Sequence, residues 1–337
     1  NDGMGIPITT SRERRMYSAT IQLLLLLACC LLNACVAGGA DELDDGRPVE
    51  RFEFRSYTEV DPLLERFNYT PESWQAGVRE VPRIYLTDIP PRWRDSVSDE
   101  MSVLAKKRIF FRTLAPLVLR ANELILADCE RLTGLANTVE AGHTVEQEDR
   151  TWLGELATRY RKIDDPQAMP DQDGLGGLID ELLVRVDSLP LSLVLAQAAE
   201  ESGWGTSRFA AQGNALFGQW TWSGEGIKPE GQREELGDYR IAAFETPLMS
   251  VMSYLLNLNS HPAYADLRAR RAELRQAGER LSGHELAKTL TSYSERGQEY
   301  VETLHTLMRV NKLDSADDAH LGDTPTIYLV PVGPGSK

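Results

Sequence analysis

Residues 191–222 read LSLVLAQAAEESGWGTSRFAAQGNALFGQWTW. The run Leu191–Ala199 is apolar on nearly every helical face, which predicts a helix buried on all sides. Ser188 ahead of Leu189-Pro190 fits a helix N-cap with proline near the first turn. This helix closes on two adjacent acids, Glu200 and Glu201. A carboxylate at the end of a buried helix is in a costly place, because desolvation favours its protonated form. The macrodipole also opposes negative charge at a helix C-terminus. Val194, Gln197, Ala198 and Glu201 share one face by their spacing, and Glu200 points about a quarter-turn away. One acid therefore faces a cleft while its neighbour faces solvent or an arginine. A protonated carboxylic acid is the group that glycosidic cleavage needs for its leaving oxygen.

The residues after the acids suit a sugar. Trp204, Phe217, Trp220 and Trp222 offer flat apolar faces for pyranose rings, and Asn214 offers a hydrogen-bonding turn. "LFGQWTW" and "DYRIAAF" predict two strands of a small sheet around the excursion "SGEGIKPEGQREELG". Helical spacing returns in "TPLMSVMSYLLNLN", with Thr246 as N-cap and Pro247 at the first position, then in "GHELAKTL" and "GQEYVETLHTLMRVNKL".

Upstream, 101–133 has helical apolar spacing, with Pro116 predicting a kink or a break. "TVEQEDRTWLGELATRYRK" predicts a further helix capped by Thr144. Residues 51–100 mix aromatics, prolines and charges without a long amphipathic period, as a segment wrapping another surface would.

The 337 residues suffice for about two domains, and 42% hydrophobic with 26% charged residues is a globular composition. The formal net charge of −15 argues against a nucleic-acid partner. Arg12, Arg14 and Arg15 precede the short apolar run Ile21–Leu32, which reads as a signal peptide over 1–34. Leu32-Asn33-Ala34-Cys35 resembles a bacterial lipobox, with Cys35 as the lipidated residue that anchors the chain to a membrane. Val36 after it suggests the periplasmic face of the outer membrane. Residues 35–50 read as a flexible tether, 51–175 as a mostly helical region, 176–313 as the catalytic domain and 314–337 as a disordered tail. Cys129 in "ANELILADCERL" reads as a buried, inert thiol. No CxxC, HExxH or paired-histidine pattern occurs among the five histidines, so neither metal nor cofactor is expected.

"SLVLAQAAEESGWGTSRFAAQGNALFGQW" resembles the glucosaminidase family of peptidoglycan hydrolases (glycoside hydrolase family 73), and more narrowly its Bax-type branch. "VPRIYLTDIPPRWRD", "KKRIFFRTLAPLVLRANELIL", "NLNSHPAY" and "YSERGQEYVETL" share that resemblance, so it covers roughly residues 80–313. It implies an α+β, mostly α fold: a lysozyme-like domain with a small β-lobe, here with an N-terminal helical region. It implies hydrolysis of β-1,4 bonds at N-acetylglucosamine in peptidoglycan strands. It places the catalytic acid at Glu201 and a tyrosine near that acid at Tyr293. Some members carry a second carboxylate in the β-lobe. The matching stretch holds Glu225, Glu230, Glu234, Glu235 and Asp238, and counting from Phe217 favours Glu230. The alternative is assistance by the substrate's N-acetyl group, which needs one acid only. Two rival functions stand beside hydrolysis: an inactive wall-binding scaffold, and a lytic transglycosylase.

Overall fold

The computed structural model describes residues 43, 46–90, 102–222, 226–231 and 237–333. The expected signal peptide, Cys35 and most of the tether lie outside those residues, as do Glu225, Glu234 and Glu235.

The chain opens with strand β1 (Val49–Phe54), helices α1 (Val60–Arg66) and α2 (Pro71–Gln75), and strands β2 (Glu80–Val81) and β3 (Ile84–Leu86). A long helix α3 (Val103–Glu140) follows, then α4 (Gln147–Arg159), α5 (Leu175–Arg185) and α6 (Leu191–Ser202). Next come α7 (Arg208–Gly213) and the hairpin strands β4 (Trp220–Thr221) and β5 (Arg240–Ile241). Helices α8 (Pro247–Ser260), α9 (Ala265–Gln276), α10 (Gly283–Ala287) and α11 (Gln298–Val310) lead to β6 (His320–Leu321) and β7 (Thr326–Pro331). The class is α+β, mostly α.

Helix α3 runs 38 residues, about 57 Å at 1.5 Å per residue. Ser102 caps it by accepting from the Ala105 amide at 3.2 Å. Of the kink or break expected at Pro116, the break does not occur: one helix passes through it. Proline removes one backbone bond and crowds the carbonyl four residues back. Here almost every side chain from Ile109 to Leu119 is buried, and α3 packs against α5, α6, α8 and β3. Tertiary burial outweighs the local cost. Helix α4 is entered at Glu146 rather than Thr144, whereas Thr246 caps α8 as expected, accepting from Met249 N at 3.3 Å.

The main correction concerns the C-terminus. Residues read as a disordered tail form β7, the central strand of a parallel sheet ordered β1-β7-β3. Val49 pairs with Thr326 and Ile84 with Ile327, so β1 also takes up the end of the expected tether. Ile327 and Leu329 are fully buried. The Gly- and Pro-rich flanks mask a six-residue alternating strand. Beside it, β6 pairs with β2. One apolar cluster runs from Leu43 to Leu329, so both ends of the described region close on a shared core around the segment that holds Glu201.

Ahead of β6, Asp317 accepts from Ser192 N at 2.7 Å, Ser192 Oγ at 2.8 Å and Gly283 N at 3.1 Å. One carboxylate thus caps the N-termini of both α6 and α10, a role in which negative charge is favoured. The cap for α6 comes from a distant segment, not from Ser188; Pro190 occupies the N-cap position.

Candidate active site

Helix α6 is buried from Leu191 to Ala199. It stops in three successive left-handed residues, Gly203, Trp204 and Gly205, with φ of 57°, 62° and 75°. Glycine takes this conformation freely; a tryptophan does so at a cost of about 1–3 kcal/mol. The turn is tied by Ser202, whose Oγ donates to Ala198 O at 2.6 Å and accepts from Gly205 N at 2.8 Å. Trp204 N donates to Ala199 O at 3.0 Å. This accounts for the spacing of Glu-Ser-Gly-Trp-Gly: serine and glycines end the helix one residue after Glu201.

Glu201 is half-buried at this end. Tyr300, on α11, donates to Glu201 Oε1 at 2.8 Å. Gln197 Nε2 donates to Tyr300 Oη at 2.9 Å, and the Tyr254 hydroxyl donates to Gln197 Oε1. The direction of this chain is forced. An ionised carboxylate only accepts, so Tyr300 must donate to it. Tyr300 Oη then takes the amide N–H, which turns the Gln197 carbonyl toward Tyr254. Glu201 Oε1 is an acceptor in either protonation state, and its proton belongs on Oε2.

Burial pushes the Glu201 carboxyl above its ordinary range; the Tyr300 hydrogen bond opposes this, Glu200 adds to it and Arg296 subtracts. Burial also raises the Tyr300 hydroxyl, followed by the Glu201 charge, so Tyr300 remains a donor at neutral pH. Glu200 faces away and pairs with Arg296 at 2.6 Å, and that guanidinium lies 5.3 Å from the Tyr300 ring centroid. The two acids therefore have separate environments, one desolvated and one ion-paired.

Tyr293 stacks on Tyr300 with centroids 5.4 Å apart and planes 8° apart. Burial raises its hydroxyl first, and the Glu201 charge second. Tyr293 is thus beside the acid, while Tyr300 makes the hydrogen bond. Tyr300 is the residue the sequence reading missed. Its signal was the second tyrosine of "YSERGQEYV", seven residues after the first.

Several expected sugar contacts have other roles. Asn214 is 2% exposed and sits at φ 52° as the C-cap of α7, a left-handed position that asparagine tolerates. Its Oδ1 accepts from Ile89 N at 2.9 Å, and its Nδ2 donates to Phe244 O at 3.2 Å and Glu245 O at 3.0 Å. With its polar atoms engaged by protein, Asn214 locks a turn instead of meeting substrate. Phe217 is 3% exposed and stacks on Tyr254 at 3.9 Å, so it supports the relay from below. Trp204 rests edge-to-face on Phe110 and Phe111 of α3 at 5.8 and 5.2 Å, with Lys107 Nζ 4.6 Å from its ring centroid. That packing offsets the strain at Trp204 and anchors the turn to the long helix.

Trp220 and Trp222 remain half-buried on the small lobe. Trp220 stacks on Tyr239 at 4.3 Å and meets Trp222 at 6.2 Å. The expected strands β4 and β5 pair antiparallel there, Trp220 opposite Ile241. Glu230 is not brought to Glu201. Its side chain is 88% exposed and lies 3.6 Å from Arg208, and it is not among the charges acting on Glu201. Asp238 pairs with Lys228 at 3.4 Å. Cys129 is a half-buried free thiol, raised chiefly by burial. Among the described residues, no three His, Cys, Asp or Glu side chains converge as metal ligands would.

The class of protein follows from comparison with known families. Residues 178–313 match the glucosaminidase family described as mannosyl-glycoprotein endo-beta-N-acetylglucosaminidase. The protein therefore carries a domain of glycoside-hydrolase type. The Bax protein of Escherichia coli (strain K12) is 31% identical over 209 residues, which span 61% of this chain and 70% of that protein. The chain belongs to the Bax-type glucosaminidase-domain family. No solved structure matches it.

Proposed function

We propose that the protein hydrolyses β-1,4 glycosidic bonds at N-acetylglucosamine in peptidoglycan strands, with Glu201 as general acid. The observation that carries this reading is a desolvated carboxyl held by Tyr300 on Oε1, with Oε2 left to transfer a proton. Burial keeps that proton on closer to neutral pH than an ordinary carboxyl allows. Oε2 gives its proton to the departing glycosidic oxygen as the C1–O bond breaks. Tyr300 and Gln197 hold the carboxyl in one orientation through this step.

Among the described residues, the acid acting on Glu201 is Glu200, which Arg296 neutralises. Glu230 lies beside Arg208 instead, and one-acid chemistry is the form proposed. The carbonyl oxygen of the substrate's N-acetyl group attacks C1 as the bond breaks, and water then opens the cyclic intermediate with Glu201 as base. Trp220 and Trp222 stack against sugar rings from the small lobe. On the same reading, Cys35 carries the acyl chains that tether the enzyme to the periplasmic face of the outer membrane, where its substrate is found.

The test is digestion of purified sacculi by wild type and Glu201→Gln, with products weighed by mass spectrometry. Hydrolysis adds one water and leaves a reducing hexosamine. A transglycosylase leaves an anhydro-muramic end, and a scaffold leaves the strands intact.

A further inference from the structure

Arg296 lies on the turn that leads from Tyr293 into α11. Its amide donates to Ser294 Oγ at 3.3 Å, and Gly297, at φ 55°, starts the helix. This turn gathers three side chains. Tyr293 stacks on Tyr300. The Arg296 guanidinium stands 5.3 Å from the centroid of the same Tyr300 ring, within the range of cation–π attraction. Arg296 Nη2 also donates to Glu200 Oε1 at 2.6 Å, and Tyr300 donates to Glu201 at 2.8 Å. Arg296 therefore touches both neighbours of the acid: the adjacent carboxylate, and the phenol that holds Oε1.

The Glu200–Arg296 pair is poorly placed for holding the fold. The two side chains are 28% and 39% exposed, and an exposed ion pair adds little to stability. Its position also runs against local preference. Glu200 is in the last turn of α6, where the macrodipole opposes negative charge. It stands one residue from a carboxyl whose ionisation burial already disfavours. An uncharged residue would avoid both costs. What the pair supplies is two opposite charges at the edge of the acid. Glu200 strengthens the hold of Glu201 on its proton, and Arg296 weakens it. Tyr254 on α8, Tyr293 and Tyr300 are the titratable groups that face Glu201, and each is raised by burial and stays uncharged. Helices α3 and α10 and the segment 313–318 also pack on α6. Among the described residues, they bring no charge that acts on Glu201.

One-acid chemistry makes this balance matter. Glu201 gives its proton to the departing oxygen and then takes one from water, so its proton affinity has to suit both steps. An unpaired Arg296 would favour early loss of the proton. An unpaired Glu200 would favour keeping it through the second step. We infer that Glu200 and Arg296 are positioning residues that work as one unit, through Tyr300 and through their charges, to let Glu201 act as acid and then as base over one pH range. This rests on the reading of Glu201 as the proton donor.

The test uses the full-length protein with isotope-labelled glutamate carboxyls. NMR follows the titration of Glu201, whose resonance is the one missing from Glu201→Gln. Arg296→Gln is expected to move the Glu201 midpoint to higher pH, Glu200→Gln to move it to lower pH, and the double variant to lie between them. Arg296→Lys, which keeps the charge, is expected to undo most of the Arg296→Gln shift. In digestion of sacculi, the alkaline limb of the pH–rate profile should move with the same sign in each variant. Damage to the fold would instead make the double variant the worst of the three. Unmoved midpoints in the single variants, movement of both in one direction, a double variant outside the interval, or Arg296→Lys behaving as Arg296→Gln would overturn the inference. The titration needs no turnover. The expected shifts without wild-type hydrolysis therefore count against the catalytic reading alone, and wild-type hydrolysis with unmoved midpoints counts against this inference alone.

Discussion

Tyr300 and Glu201 are 99 positions apart in sequence and share a 2.8 Å hydrogen bond in which the phenol donates. With Glu201 ionised, the carboxylate has no proton to give and the phenol is the donor in this bond. Tyr300→Phe removes the one hydrogen bond that favours the ionised carboxylate. The Glu201 pKa should then rise, and the alkaline limb of the pH–rate profile, where the acid loses its proton, should move to higher pH. Loss of orientation should cut kcat by roughly 10- to 100-fold with KM little changed. A downward move of that limb would contradict the assigned direction.

Glu201 should also leave a mark on stability. A carboxyl whose folded pKa lies above its unfolded one favours folding fully below the unfolded pKa, and that contribution is lost as pH rises through the folded pKa. Glu201→Gln has no such loss. Urea unfolding should give equal stability for the two proteins at acid pH, with the variant gaining as pH rises to neutrality. Parallel curves across that window would argue that the carboxyl is not desolvated.

Asp317 supports the acid from the other end of α6. Asp317→Ala leaves Ser192 N, Ser192 Oγ and Gly283 N without their acceptor. Lost caps and buried unpaired donors should together cost about 2–4 kcal/mol, read as a lower urea midpoint at unchanged m-value. A cost within a few tenths of a kcal/mol would mean that water replaces the cap.

Strand β7 carries the same logic to the whole fold. Ending the chain before Thr326 removes the centre of the parallel sheet and uncovers Ile84 and Phe54, both buried. The truncated protein should lose its cooperative thermal transition. Retention of the wild-type transition would show that the sheet is dispensable.

These outcomes bear on what the sequence made legible. Helix α6, its two acids and the hairpin could be read because their signals are local: apolar periodicity, a Gly-Trp-Gly stop and alternating aromatics. The separation of Glu200 from Glu201 was legible as well, from a quarter-turn of helix. What stayed hidden depends on contacts across the chain. Asn214 and Phe217 sit among sugar-like neighbours in sequence, yet Ile89 and Tyr254 claim them in space. Tyr300 and Tyr293 lie on one stretch, and only the approach of α11 to α6 decides which bonds the acid. Pro116 reads as a break until the surrounding burial is known. Thr326–Pro331 is too short, and too closely flanked by Gly and Pro, to announce itself as a central strand.

The central claim is that Glu201 is the proton donor for glycosidic cleavage. Its most direct test is mass spectrometry of sacculi incubated with wild type and with Glu201→Gln, both checked for folding. Wild type should release fragments that have gained one water and end in a reducing N-acetylglucosamine, and Glu201→Gln should release none above background. Equal release by both proteins would contradict the account.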